Sequence, residues 1–185
     1  MLLFVSGCVS QIPSLQQGLS ETPPCCTSFS QMNYTKSLDG GDINFDINER
    51  SKVYEFEVGK SYFAAVEIRP NSTEFEITTY IVGNWIPTTH VFWPSIIFLD
   101  ENHVPLRTLN SVTMRRGLNM HLIRGNIDWS ANILIKPEEK YAVIYTSPRN
   151  VGHQILISND KDDLGVRNKE FSTLGPSGDI RVRMR

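Results

Sequence analysis

A period-two alternation of apolar and polar side chains runs through most of the chain from Asp42 onward, and this alternation narrows the fold more than any other feature. The segment "KVYEFEV" sets Tyr54, Phe56 and Val58 against Glu55 and Glu57, as a strand with one buried face requires. "SYFAAVEI" follows after Gly59-Lys60, a two-residue loop whose leading glycine suits a type II′ hairpin. That loop predicts a register in which Val58 faces Ser61, Phe56 faces Phe63, Tyr54 faces Ala65 and Lys52 faces Glu67. One surface then gathers Tyr54, Phe56, Val58, Phe63 and Ala65, and a one-residue slip would carry the glutamates into the core.

The pattern repeats down the chain. After a turn at Arg69-Pro70-Asn71-Ser72, "TEFEITTYIV" alternates Phe75, Ile77, Thr79 and Ile81 with Glu74, Glu76, Thr78 and Tyr80. In "HVFWPSIIFLDEN" the stretch Ile96-Ile97-Phe98-Leu99 is apolar on both sides and predicts a strand covered on both faces. Further strands are expected over residues 104–109, 121–124, 131–135, 141–146, 154–158 and 180–184, with a polar loop over 160–170. Eight to ten short strands, turns between them and no sustained helical period predict an all-β, antiparallel β-sandwich of jelly-roll or immunoglobulin-like type.

The N-terminal stretch "MLLFVSGCVSQ" is uncharged and ends an aliphatic run on Val5-Ser6-Gly7-Cys8. That order resembles a bacterial lipobox, in which the cysteine becomes an acylated N-terminus. Residues 1–7 then read as the remnant of a signal peptide, although a basic n-region is missing from this copy. Each buried CH₂ contributes about 0.8 kcal/mol and two or more chains anchor stably, so lipidation at Cys8 implies a membrane anchor. Ser10 stands where inner-membrane retention calls for aspartate, which implies an outer-membrane protein facing the periplasm. Residues 8–24, rich in Gln, Ser and Pro, read as a flexible tether, and residues 25–185 as the sandwich domain.

Chemistry-bearing motifs are scarce. The sequence has no GxSxG, HExxH, GxGxxG or P-loop. His90, His103, His121 and His153 fall in separate segments, and Asp39, Asp42 and Asp46 do not follow an EF-hand spacing, so neither a metal site nor a cofactor is expected. A net charge of −2 supplies no basic stripe for nucleic acid. Cys25 and Cys26 are adjacent, and three states stay open for them: a vicinal disulfide, an intermolecular bond, or buried thiols. Trp85, in a Gly/Asn/Pro loop, and nearby Tyr80 are the candidates for rings displayed to a ligand, because such rings pair an apolar face with a polar handle.

Four segments, "CCTSFSQMNY", "FEVGKSYFAAVEI", "VFWPSIIFLDEN" and "KYAVIYTS", resemble in that order parts of the maltose operon periplasmic protein (MalM-like) family, and "PSGDIRVR" is compatible with that family's last strand. The resemblance spans about residues 25–184. It implies a periplasmic protein assigned to carbohydrate transport, with maltodextrin or an outer-membrane or periplasmic transport protein as partner. It carries no catalytic residues across. The expectation is therefore a non-enzymatic lipoprotein assisting carbohydrate uptake, or else a structural lipoprotein of the cell envelope with no sugar ligand.

Overall fold

In the computed structural model, which describes residues 12–37, 41–83, 89–117, 128–161 and 167–185, the alternating segments form strands. They are β1 (Ile43–Ile47), β2 (Val53–Phe56), β3 (Gly59–Glu67), β4 (Glu74–Val82), β5 (His90–Phe92), β6 (Ser95–Leu99) and β7 (Pro105–Leu109). After them come β8 (Arg115–Arg116), β9 (Asp128–Leu134), β10 (Tyr141–Tyr145), β11 (Gln154–Lys161), β12 (Arg167–Gly175) and β13 (Gly178–Met184). Five of them make an antiparallel sheet in the order β2-β3-β10-β6-β7. In the other sheet, of eight strands, six follow the order β1-β13-β4-β5-β12-β11, while β9 pairs with β4 from Glu74 to Tyr80 and β8 pairs with β9. All pairs in this second sheet are antiparallel except β5 with β12.

The two sheets pack face to face, as the alternation predicts. Tyr62, Ala64, Val66, Phe98 and Ile144 from the five-stranded sheet meet Phe75, Ile77, Ile180 and Val182 from the eight-stranded one. The rings of Phe75 and Phe98 meet edge to face across the interface at 5.7 Å. The molecule is an antiparallel β-sandwich.

Two details of the expected hairpin change. Its turn falls on Glu57-Val58, and Gly59 opens β3 with φ +117°, a left-handed conformation glycine adopts without steric penalty. Phe56 therefore faces Gly59 and Tyr54 faces Ser61, instead of Phe63 and Ala65. The partner shift is four residues, an even number, so each side chain keeps its face. The second change concerns which face is which. Tyr54, Phe56, Phe63 and Ala65 do share a surface, but it is the outer one, while Val53, Tyr62, Ala64 and Val66 fill the space between the sheets.

Residues 12–24, expected as irregular tether, begin instead with a helix, α1 (Ile12–Glu21). Ile12, Leu15 and Leu19 recur at i, i+3 and i+7, and Pro13 sits in the first turn, where no intrahelical donor is lost. Leu19 joins the core between the sheets, so the folded body includes α1. At its C-terminal end the Lys60 ammonium donates to the carbonyls of Ser20 (2.8 Å) and Thr22 (2.9 Å), a cation placed where the helix dipole favours one. Pro23-Pro24 then prevent its continuation. Among the described residues no helix is long and apolar enough to cross a membrane.

The expected polar loop over 160–170 is corrected at residues 160–161 and 167–170, which are strand, while residues 162–166 lie outside the described residues. The ladder between β11 and β12 runs on through Asn159↔Lys169, Asp160↔Asn168 and Lys161↔Arg167. Polar residues occupy both arms there, so the strand leaves no apolar alternation to read. The strand expected over 121–124 lies outside the described residues.

Where β5 meets β12, His90 is 3% exposed. Its Nε2 lies 3.1 Å from Ser177 Oγ, and Nδ1 has no partner. Gly175 makes room for the ring, since a Cβ there would stand 2.5 Å from His90 Cδ2. Burial holds the imidazole pKa below its ordinary value. An unfolded histidine titrates near ~6.5, so acidification protonates the unfolded chain before the folded one, and stability falls as pH drops below that value. His90→Gln is expected to flatten this loss between about pH 7 and about pH 5. Urea midpoints across that range check it, and an undiminished slope in the variant would assign the loss elsewhere.

Candidate ligand cleft

β3 is buried without interruption from Ser61 to Val66, β6 along its whole length, and β10 from Ala142 to Tyr145. The five-stranded sheet is thus apolar on both faces, and its outer face needs a cover of its own. The segment that follows α1 supplies part of it. Cys25 N–H donates to Val53 O (2.8 Å), Thr35 N–H to Ala65 O (2.9 Å) and Glu67 N–H to Thr35 O (3.0 Å), which lays the segment along β2 and β3. Cys26 and Met32 are buried against Phe63, Ala65, Leu99 and Val143. Tyr34 lies 4.6 Å from the Tyr141 ring and 5.1 Å from His103, and its hydroxyl donates to Phe29 O at 2.9 Å. Burial, with Tyr141 and Tyr54 adding to it, raises the Tyr34 phenol pKa far above the usual range.

The cover ends at Phe29, in a single 3₁₀ turn (Phe29–Gln31). Beyond it the outer face is open as a cleft of about 310 Å³ that reaches from β2 at one edge to β7 at the other. Phe56 and Tyr145 form its floor, stacked at 4.0 Å with their planes 9° apart, and both are buried. Half-buried Tyr54 stands edge-on to Phe56 at 4.9 Å, and Phe29 leans on Tyr54 at 5.2 Å. Thr108 and Asn110, both exposed, supply polar groups at the β7 side, and Glu57 at the β2 side.

The charge balance of this cleft is one-sided. Its lining has no Lys, Arg or His, and the Glu57 charge acts on it, whereas Glu55 shares the face of Val53 on the other side of β2. Lys60 is opposite Glu55 in the β2–β3 ladder, but its ammonium is engaged by the α1 carbonyls. Neither glutamate has an ion pair among the described residues. Burial raises the Tyr145 phenol pKa; a hydrogen bond with Ser95 opposes the rise and the Glu57 charge adds to it.

The residues singled out from the sequence lie elsewhere. Cys8 and Trp85 are outside the described residues. Tyr80 is on β4 in the other sheet, half-buried, where burial raises its pKa and Arg181 pulls it down, so it does not reach the cleft. Cys25 and Cys26 are bonded to each other as a vicinal disulfide, with Cys26 in the covered part of the outer face. Among the described residues no group of three or more His, Cys, Asp or Glu could hold a metal ion. The cleft aromatics went unmarked in the sequence. The signal for them was there in the unbroken apolar runs "YFAAV" and "YAVIY", which fit burial on two sides rather than one.

Fold and site together define an antiparallel β-sandwich that leaves an aromatic cleft open on the outer face of one sheet. No family model, curated protein or solved structure matches the chain.

Proposed function

We propose that this chain is a non-enzymatic, lipid-anchored protein of the bacterial periplasm that holds a short glycan in the outer-face cleft and so assists carbohydrate uptake. The observation that carries this reading is the pairing of accessible aromatic rings, Tyr54 and Phe29, with polar groups on two sides of an open cleft. Sugar rings present apolar C–H faces that stack on aromatic rings, and their hydroxyls seek acceptors and donors such as Glu57, Thr108 and Asn110. A volume of about 310 Å³ is at the small end of ligand sites, which run from about 300 to about 1,000 Å³, and suits a ligand of few rings. The lipid anchor and the outer-membrane address rest on Val5-Ser6-Gly7-Cys8, and the link to maltodextrin uptake rests on the MalM-like segments.

Calorimetric titration of the full chain with maltodextrins tests the reading. Binding is expected, and Tyr54→Ala is expected to weaken it about tenfold, the loss of roughly 1.4 kcal/mol of stacking and contact area. Circular dichroism of the variant should stay native-like, since Tyr54 is only half-buried. A glycan series that gives no heat, or affinity indifferent to Tyr54, would reject glycan binding at this site.

A second reading, an envelope protein that docks to a protein partner without a sugar, is favoured by one observation. Leu156 and Phe171 face each other across the β11–β12 hairpin, and both are more than two-fifths exposed (45% and 42%). Cross-linking in cells from positions flanking this pair would capture a discrete partner if that reading holds.

A further inference from the structure

The outer-face cleft does not stop at β7. Thr108 and Asn110, which border it, also border a second groove of about 380 Å³ that lies between the end of β7 and β9. β7 is the last strand of its sheet. Thr108 pairs with Ile97 of the outer face, and Leu109 with Ile96 of the core between the sheets, so the two openings meet around that free edge. The floor of the second groove is apolar, since Leu109, Val112, Ala131 and Ile133 all pack in the inter-sheet core. Its rim is polar and uncharged, with Thr108, Asn110, Thr113 and Asn132 exposed. Among the described residues none of these four side chains makes a hydrogen bond within the protein, and no ionisable side chain lines the groove. The wall is held in place. Ser111 N–H donates to Ser95 Oγ (3.2 Å), Val112 N–H to Pro94 O (2.9 Å) and Trp93 Nε1 to Ser111 Oγ (3.1 Å). A fixed groove costs its ligand less ordering than a mobile one. An ionic ligand would find no counter-charge there. A neutral pyranose chain fits the lining, with C–H faces for the floor and hydroxyls for the rim.

We propose that the two grooves form one continuous track for a neutral, linear oligosaccharide, longer than the few rings that the aromatic cleft takes by itself. This rests on the glycan-binding reading and extends it. One end of the chain stacks on Tyr54 and Phe29. The chain turns the β7 edge past Thr108 and Asn110, and its other end lies on Leu109 and Ile133, with Thr113 and Asn132 taking hydroxyls. Occupying the second groove through a chain already held in the first is an intramolecular event, and such linkage adds about 10²–10⁴ in affinity where the geometry allows it.

Calorimetry on the full chain with maltotriose and maltoheptaose tests the track. Maltoheptaose is expected to bind more than about tenfold tighter than maltotriose. A long chain confined to the aromatic cleft gains only about fivefold from its alternative registers, so a ratio under about tenfold overturns the continuous track and leaves glycan binding in the cleft standing. Thr113→Ala/Asn132→Ala changes two exposed side chains outside the aromatic cleft, and should bring the ratio down to about fivefold or less. A ratio that survives this double substitution undiminished also overturns the track. Amide shifts locate the difference: maltoheptaose should perturb residues 112–113 and 131–133, which maltotriose leaves unmoved. Maltoheptaose shifts confined to the aromatic cleft would contradict the proposal. Failure of both glycans to bind overturns the glycan reading with it.

Discussion

Glu139→Ala is expected to lower the unfolding free energy by about 3–5 kcal/mol, among the largest effects of any single substitution in this chain. Glu139 is 2% exposed and accepts hydrogen bonds from Arg107 Nε (2.6 Å), Arg107 Nη2 (3.0 Å) and the Lys136 N–H (2.9 Å). Arg107 also donates to Leu134 O at 2.7 Å and lies 4.5 Å over the Phe98 ring. The pair therefore ties β7, at the edge of the five-stranded sheet, to the end of β9 in the other sheet. Removing the carboxylate leaves a guanidinium among carbonyls and a ring with no counterion. Because the Arg107 side chain is 25% exposed, water relieves part of that penalty and the lower end of the range is expected. Replacing both partners by apolar residues, Arg107→Met with Glu139→Leu, should cost much less than the single change. Urea unfolding measures all three, and a single-variant loss under about 1 kcal/mol would mean that the sheets are not clamped there.

Phe75→Ala should cost a comparable ~3–5 kcal/mol, for a different reason. The ring is fully buried between the sheets, edge-on to Phe98 at 5.7 Å, and a β-sandwich of two hydrogen-bonded sheets has little freedom to collapse around the void. Phe75→Leu keeps most of the volume and is expected to lose about 1–1.5 kcal/mol. The contrast between the two variants, read from denaturation midpoints at constant slope, separates a packing role from a general intolerance of substitution. Equal losses for both would contradict the packing account.

These expectations draw on a structure whose strands were largely written in the alternation. β4 and β6 appear where Phe75/Ile77 and Ile96–Leu99 call for them, and β10 where "YAVIY" does. Parity was readable in the β2–β3 hairpin, because a side chain's face depends only on even or odd position. Its register was not, since Gly59 serves equally well as the first turn residue or as the residue that closes the turn. Nor could the sequence say which face of β3 meets the other sheet. Phe63 and Ala65 are as apolar as Tyr62, Ala64 and Val66, and only the arrival of Cys26, Met32 and Tyr34 on the outer side separates the two sets.

The site was harder still to foresee. A ring in a Gly/Asn/Pro loop marks Trp85, with Tyr80 on the strand beside it, whereas the cleft assembles Phe29, Tyr54, Phe56 and Tyr145 from a turn and two non-adjacent strands. Its openness depends on where the N-terminal cover stops, which is a matter of tertiary packing. Helix α1 was hidden by its brevity, with only three apolar positions and a proline in its first turn, and β12 by its polar composition.

Amide shift mapping of the isotope-labelled chain, titrated with maltotriose, decides whether the outer face of the five-stranded sheet is where ligand sits. Perturbations should concentrate at Phe29, across residues 54–58 and around Thr108 and Asn110, with the β4–β13 face around Arg181 unmoved. Shifts gathered on that opposite face, or a spectrum unchanged at saturating glycan, would contradict the account.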